Sequence, residues 1–158
     1  MVIESKINDR PEFTPVDEGV IHAVCVDNVD LGIKEVAYQG ESKNVHKMKL
    51  IFEVPDQLMP DGRSKTIGKT FTASLAQSAN LRKALESWLG RPLNADELAS
   101  CDLDALIGKT AKLLVLHKEI EGRTMHVIET IQPSTESVNP SGGYVRWQDR
   151  EVTPNQNW

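Results

Sequence analysis

The sequence predicts a mainly β protein with five strands and one helix between the third and the fourth strand. Five segments have strand-like patterning, one longer segment has helical periodicity, and turn-forming residues separate them. The chain has 158 residues, of which 39% are hydrophobic and 26% are charged. This composition is typical of one soluble globular domain with a hydrophobic core of its own.

An acidic segment without apolar periodicity comes first. Residues 1–18 contain two prolines and five acidic residues, so we expect an extended leader in front of the domain. The first strand follows at residues 20–26, which are nearly all apolar, as in a strand with both faces covered. Residues 29–36 extend this strand after a bulge, because an isolated glycine such as Gly32 often marks one. The polar residues 39–44 then predict a connecting loop.

The second strand has the clearest pattern in the chain. Apolar and polar residues alternate over residues 45–54, which is the period of a half-buried strand. The apolar side consists of Met48, Leu50, Phe52 and Val54. We expect Pro55 to end this strand and residues 60–63 to form a turn. Residues 66–75 resume the alternation and are predicted to be the third strand.

The period changes to that of a helix over residues 78–90. The apolar side chains fall on one stripe of such a helix, with Ser78 or Asn80 as the N-cap and Gly90 just beyond the end. The stripe consists of Leu81, Leu85, Trp88 and Leu89. This segment is therefore predicted to pack as an amphipathic helix against the strands.

Two short helical turns and a hairpin complete the domain. Residues 94–97 resemble a capping box, and residues 102–106 form a second turn. Residues 110–118 and 124–131 are two strands joined by a short loop. Five strands with a helix between strands 3 and 4 have the order of the OB-fold, a Greek-key barrel that binds single-stranded nucleic acid or oligosaccharide. The predicted OB-fold domain spans residues 19–133.

The last segment, residues 134–158, is predicted to be a flexible C-terminal tail. It contains no Leu, Ile or Phe, so it cannot bury enough apolar surface to offset the entropy of ordering. Its aromatic residues Tyr144, Trp147 and Trp158 are candidate contacts for a protein partner. The alternative is that these rings fold back onto the domain.

Positive charge is concentrated in the middle of the chain. Residues 41–91 contain nine basic and five acidic side chains, whereas acidic side chains predominate in residues 1–40 and 92–158. Such an asymmetry attracts a polyanion to one face although the whole chain has a net charge of −5. An ordinary solvated lysine-rich surface is the alternative.

Eight residues of the chain are predicted to contact single-stranded DNA. Lys47 and Lys49 project from one face of the second strand, and further cations flank them along the groove expected of an OB-fold. Tyr38 is a candidate for stacking on bases, and Phe71 is another, although its alternation with apolar neighbours also suits a core residue. The predicted nucleic-acid-binding residues are Tyr38, Lys43, Lys47, Lys49, Arg63, Lys65, Lys69 and Phe71.

No motif predicts an enzyme, a metal site or a cofactor site. Gly-Lys-Thr begins at Gly68 and at Gly108, but a phosphate-binding loop needs another glycine five positions earlier, where Arg63 and Leu103 stand. The four histidines lack metal-ligand spacing, and the two cysteines fit buried thiols. The carboxylates are not clustered as a nuclease would need. We therefore expect a protein that uses no metal or cofactor and catalyses no reaction.

The run Ser-Ala-Asn-Leu-Arg-Lys-Ala-Leu-Glu-Ser-Trp-Leu-Gly-Arg-Pro at residues 78–92 is the most specific motif of the chain. Together with residues 45–54, 71–75 and 106–109, it resembles a family of phage and prophage replication-associated proteins. The resemblance covers about residues 19–133. Members of that family are regarded as OB-fold proteins similar to single-stranded-DNA-binding proteins, so the resemblance implies this fold and this function. Its matching residues look structural, and it therefore implies the fold more strongly than the DNA contacts.

These observations predict a domain that binds single-stranded DNA with low sequence specificity, in phage-type DNA replication or recombination. The alternative is a protein–protein adaptor of a replication complex, which the aromatic content of 5% and the negative net charge support. We expect a cytoplasmic protein without membrane contact, since its longest apolar run is far shorter than the roughly 18 residues of a membrane span. The predicted partners are single-stranded DNA and other replication proteins, and the sequence leaves the oligomeric state open.

Overall fold

Five antiparallel strands in one sheet make up most of the computed structural model, which describes residues 13–150. The strands are β1 (Gly19–Tyr38), β2 (Glu41–Leu58), β3 (Ser64–Thr72), β4 (Thr110–Ile120) and β5 (Arg123–Pro133). The helices α1 (Asn80–Leu89) and α2 (Ala95–Ala99) and a 3₁₀ turn over Leu103–Leu106 connect β3 to β4. A second 3₁₀ turn covers Trp147–Asp149. The predicted mainly β fold with five strands is confirmed, as is the helix between the third and the fourth strand.

The sheet curls so that its two edge strands approach each other. The strand order is β3-β2-β1-β4-β5, and β3 and β5 also contact each other. Lys69 in β3 joins them, because its Nζ donates a hydrogen bond to the Ile128 carbonyl oxygen in β5 at 2.9 Å. Helix α1 packs against both of these strands. The sheet thus encloses a core on its inner face and leaves an outer face.

The hairpin of β1 and β2 is longer than predicted. The expected loop over residues 39–44 is reduced to Gln39 and Gly40, which have φ angles of 49° and 79° and fit a two-residue hairpin turn. The bulge at Gly32 is confirmed by a register shift between Asp30 and Gly32. Pro55 does not end β2, which continues to Leu58. Around Pro55 the pairing with β3 is irregular, between Val54 and Leu58, and such an irregularity accommodates a proline inside a strand.

Alternation along β2 separates the core from the outer face as predicted. Met48, Leu50, Phe52 and Val54 are all buried and belong to the main hydrophobic cluster. The same cluster contains Ala23 and Cys25 from β1 and Leu113 and Val115 from β4. Ile51 and Glu53 point to the outer face, yet they are buried as well. A further segment therefore covers the outer face at this end of β2.

Helix α1 closes the core with the predicted stripe. Leu81, Leu85 and Trp88 are buried, and the Trp88 ring meets Phe52 edge-on at 5.4 Å between centroids. The Trp88 Nε1–H donates to the Thr110 carbonyl oxygen at 3.0 Å, so its polar atom is satisfied inside the core. The N-cap is Ala79 and makes no side-chain bond, which corrects the predicted cap at Ser78 or Asn80.

The segment that covers the outer face is the first part of the predicted tail. We call residues 134–150 the C-terminal strap. Val138 and Tyr144 of the strap pack against a second cluster formed by Val24, Val26 and Ile51. The tail was predicted to be flexible, but residues 134–150 lie against the sheet. They do so because residues distant in the sequence provide apolar contacts and hydrogen bonds for them. Residues 151–158 are outside the described part of the chain.

Residues 13–18 of the predicted leader contact β3, β4 and β5. Val16 is fully buried, and its backbone N–H donates to His126 Nδ1 at 2.8 Å. Phe13 meets the His126 ring edge-on at 5.2 Å between centroids. These contacts attach the segment to the barrel, while residues 1–12 lie outside the described residues. Within residues 13–150, no helix has the length and apolarity needed to cross a membrane.

Candidate nucleic-acid interface

Two lysines stand side by side on the outer face of the sheet. Lys47 lies opposite Thr72 and Lys49 lies opposite Thr70, and both alternate with the buried side chains of β2. The prediction that they project from the same face is confirmed, and we call the pair the lysine row. The Lys47 Nζ donates to Thr72 Oγ1 at 3.1 Å. Lys49 lies across Gly68, where a Cβ would collide with the lysine side chain.

The lysine row borders a polar cleft between β3, α1 and β5. The cleft has a volume of about 710 Å³, and we call it the lysine cleft. Its cationic residues are Lys47, Lys69 and Lys83, and Glu129 is its one carboxylate. Hydroxyl groups line much of the remaining wall, namely those of Thr70, Thr72, Ser74, Ser78, Ser87 and Thr130. Cations and hydroxyl donors in this combination suit the phosphate groups of a nucleic acid.

The lysine cleft contains one cation that was not among the predicted site residues. Lys83 lies on α1 and is exposed, while the predicted residues Lys47 and Lys69 reach the cleft from β2 and β3. Helical periodicity already turned Lys83 away from the apolar stripe, so its exposure was predictable. The position of α1 next to the ends of β3 and β5 could not be predicted, because it depends on tertiary packing.

Phe71 reaches the lysine cleft but cannot act as a stacking platform. Its side chain is 3% exposed and belongs to the main hydrophobic cluster. Lys69 Nζ lies 5.8 Å from the centre of its ring. The stacking role predicted for Phe71 is therefore corrected to a core role, the alternative that its sequence pattern had allowed.

Four of the predicted contact residues lie outside both the lysine row and the lysine cleft. Lys65 donates to the Pro15 carbonyl oxygen at 2.9 Å, so it fastens the N-terminal segment. Arg63 pairs with Asp61 through Nε and Oδ2 at 2.6 Å, and its backbone N–H, together with its guanidinium, holds the pKa of that carboxyl below its usual value. Lys43 and Tyr38 lie near the tip of the β1–β2 hairpin, where Tyr38 is 63% exposed. The predicted set is thus divided among three places.

Two buried carboxylates hold the strap to the outer face. Asp27 is 1% exposed and accepts hydrogen bonds from the Tyr144 hydroxyl at 2.8 Å, Arg146 Nε at 3.0 Å and the Trp147 backbone N–H at 2.9 Å. Glu53 is 2% exposed and accepts from the backbone N–H and the hydroxyl of Ser141, both at 2.7 Å. In the sequence, the sign of these contacts is an acidic residue beside or within an apolar strand segment.

The aromatic residues of the predicted tail have different environments. Tyr144 folds back onto the sheet, and burial together with the bond to Asp27 raises the pKa of its hydroxyl. Trp147 is 51% exposed, with the Arg150 guanidinium 4.7 Å from its ring centre. Trp158 lies outside the described residues. The alternative of folding back thus holds for Tyr144, and Trp147 keeps a solvent-accessible ring.

The thiols and the acidic side chains form no further site in the described part of the chain. Cys25 is buried as predicted, and burial raises the pKa of its thiol to about 12, whereas Cys101 is only partly buried. Residues 13–150 contain no group of three or more His, Cys, Asp or Glu side chains placed to hold a metal ion.

Comparisons with known proteins do not assign the chain. No protein-family model matches the sequence. No curated protein matches it either. The functional argument therefore depends on the geometry of the interface.

Proposed function

We propose that this chain binds single-stranded DNA with low sequence specificity and without catalysis, in phage-type DNA replication or recombination. The observation that supports the proposal most is the continuity of two basic features. Lys47 belongs to both the lysine row and the lysine cleft, so cations extend from the outer face of β2 to α1. A positively charged groove of this kind follows the phosphate backbone of a single strand.

We further propose that the barrel is an OB-fold. The strand order, the contact of β3 with β5 and the position of α1 agree with a five-stranded Greek-key barrel. In such barrels the second and third strands form the face that binds oligonucleotides, and the lysine row lies on these strands. The resemblance of residues 78–92 to phage replication-associated proteins supports this fold more strongly than it supports particular DNA contacts.

The direct test is fluorescence anisotropy of labelled oligo-dT titrated with the full chain at low and at physiological salt. We expect micromolar or tighter binding that salt weakens and that a duplex of equal length does not match. Replacing both residues of the lysine row, by Lys47→Glu with Lys49→Glu, should abolish binding without unfolding the protein. Folded wild-type protein that fails to bind at low salt would refute the proposed function.

A matched control separates the effect of position from that of net charge. Lys109→Glu with Lys112→Glu changes the charge by the same amount at the start of β4, outside the lysine row and the lysine cleft. This variant should keep most of the affinity. Equal losses in the two double variants would contradict the assignment of the lysine row as a binding surface.

A protein–protein adaptor is the second candidate, and the hairpin of β1 and β2 favours it. The part of the hairpin made of residues 33–38 and 41–46 extends beyond the pairing with β3 and β4. Two apolar side chains there are largely exposed, Ile33 at 65% and Tyr38 at 63%. If oligo-dT does not bind, a pull-down with wild type and with Ile33→Ser and Tyr38→Ser would be decisive, since an adaptor should lose its partner in these variants.

A further inference from the structure

The strap places Trp147 on the outer face without using its side chain as an anchor. The backbone N–H of Trp147 donates to Asp27, and the side chains of Tyr144 and Arg146 bind the same carboxylate. Arg146 also reaches Asp104 Oδ1 at 3.0 Å. The backbone of Trp147 is therefore held at a defined place, while about half of the residue stays exposed. A rigidly placed, exposed ring is suited to contact a ligand.

Strand register places Trp147 near the point where the backbone of β2 carries Lys49. Asp27 lies opposite Ile51 in β2, and the next outward pair along the ladder is Val29 with Lys49. Trp147 and Val29 line the same cavity of about 420 Å³. Because outward residues of a strand repeat about every 7 Å, the backbone of Lys49 lies one ladder step from the Asp27–Ile51 pair, and its side chain extends from there over Gly68 of β3.

The charges around the indole are of both signs. Arg150 covers one side of the ring and lies 5.5 Å from the Tyr144 ring, so it adds positive charge at this end of the face. Two carboxylates line the cavity next to Trp147. Hydrogen bonds from Asn28 and Arg146 lower the pKa of Asp104, and a hydrogen bond with His46 lowers that of Asp30. Both acids thus already have polar partners.

We propose that Trp147 stacks on a base of single-stranded DNA that crosses the outer face with its phosphates on the lysine row. This inference rests on the proposed function and adds a residue to its site. An aromatic ring beside a row of cations provides the two interactions by which proteins hold single strands, base stacking and phosphate contact. The strap is then part of the binding face, and Trp147 contacts nucleic acid instead of a protein partner.

The first test compares the affinity of strap variants of the full chain for oligo-dT. Trp147→Ala should weaken binding roughly 10-fold, the order expected for the loss of one stacked base. Trp147→Phe keeps an aromatic ring and should retain most of the affinity. Val145→Ala is the matched control, since Val145 is 53% exposed on the same strap and should not affect binding.

A second test observes the indole directly in a Trp158→Phe variant. Saturable quenching of tryptophan fluorescence by oligo-dT would then report stacking on Trp147, because Trp88 is 1% exposed and serves as an internal reference. Unchanged affinity of Trp147→Ala, together with oligo-dT binding that causes no quenching, would overturn this inference and leave the proposed function intact. Absence of oligo-dT binding by the wild type would overturn both.

Discussion

At the scale of single residues, one histidine shows how burial controls the attachment of a chain segment. His126 Nδ1 accepts the backbone N–H of Val16, and His117 Nε2 bonds to the carbonyl oxygen of the same residue at 2.7 Å. Burial lowers the pKa of His126 to about 4, and the positive charges of His117 and two nearby lysines act in the same direction. Protonated His126 has no acceptor at Nδ1, so the contact requires the neutral ring.

We predict that His126 makes the protein less stable as the pH falls from about 6.5 to about 4. The unfolded chain takes up the proton near the ordinary histidine pKa of about 6.5, whereas the folded chain resists it down to about 4. The contribution is therefore complete above pH 6.5 and lost progressively below it. Urea unfolding at pH 7 and pH 5 measures this loss. His126→Gln, which can still accept a hydrogen bond but does not titrate, should show a smaller loss than the wild type, and an equal loss would contradict the prediction.

At the scale of elements, the strap explains why β1 and β2 are buried on both faces around Val24 and Ile51. Their inner residues meet α1 and the other strands, while Val24, Val26 and Ile51 meet the strap. The strap has few apolar residues and depends on hydrogen bonds to Asp27 and Glu53 instead. Buried carboxylates without partners are costly, so these acids and the strap require each other.

We predict that Asp27→Ala destabilises the protein by about 3 kcal/mol, because Tyr144, Arg146 and the Trp147 N–H all lose their acceptor. Chemical denaturation measures the loss, and limited proteolysis should show earlier cleavage within residues 134–150. Asp30→Ala is the control on the same strand, and its effect should be much smaller since Asp30 is exposed. Similar effects of the two substitutions would argue against an anchoring role for Asp27.

At the scale of the whole molecule, local charge and net charge oppose each other. The chain has a net charge of −5, yet the lysine cleft holds three lysines and a single carboxylate. Long-range attraction of a polyanion is therefore weak, and binding should depend on close phosphate contacts. Such contacts release counterions from the nucleic acid, which makes affinity a steep function of salt concentration.

We predict that the salt dependence of oligo-dT binding identifies the residues that contact phosphate. Neutralising three cations with Lys47→Gln, Lys49→Gln and Lys83→Gln should reduce the slope of log K against log salt by about 2, or about 0.7 for each lost contact. Anisotropy titrations at four or more NaCl concentrations measure the slope. Trp147→Ala should weaken binding and leave the slope unchanged, because stacking releases no counterions. A triple variant with the wild-type slope would exclude these lysines as phosphate contacts.

The amino-acid sequence by itself determined the strands, the main helix and the orientation of the lysine row. These features follow from periodicity over neighbouring residues, as the buried alternation of β2 and the stripe of α1 illustrate. Local signals were less reliable at the ends of elements. Residues 41–44 were predicted to be loop and Pro55 to end the strand, but β2 includes all of them. Pairing with neighbouring strands outweighed their turn propensity.

Only the tertiary structure decided which of these residues meet. Asp27 binds groups about 120 positions further along the chain, and Lys83 joins Lys47 and Lys69 because α1 packs between β3 and β5. Neither contact has a local pattern, since each depends on how distant segments fold together. For the same reason the strap has too few apolar residues to order alone, yet it packs once β1 and β2 present an apolar patch and two buried carboxylates.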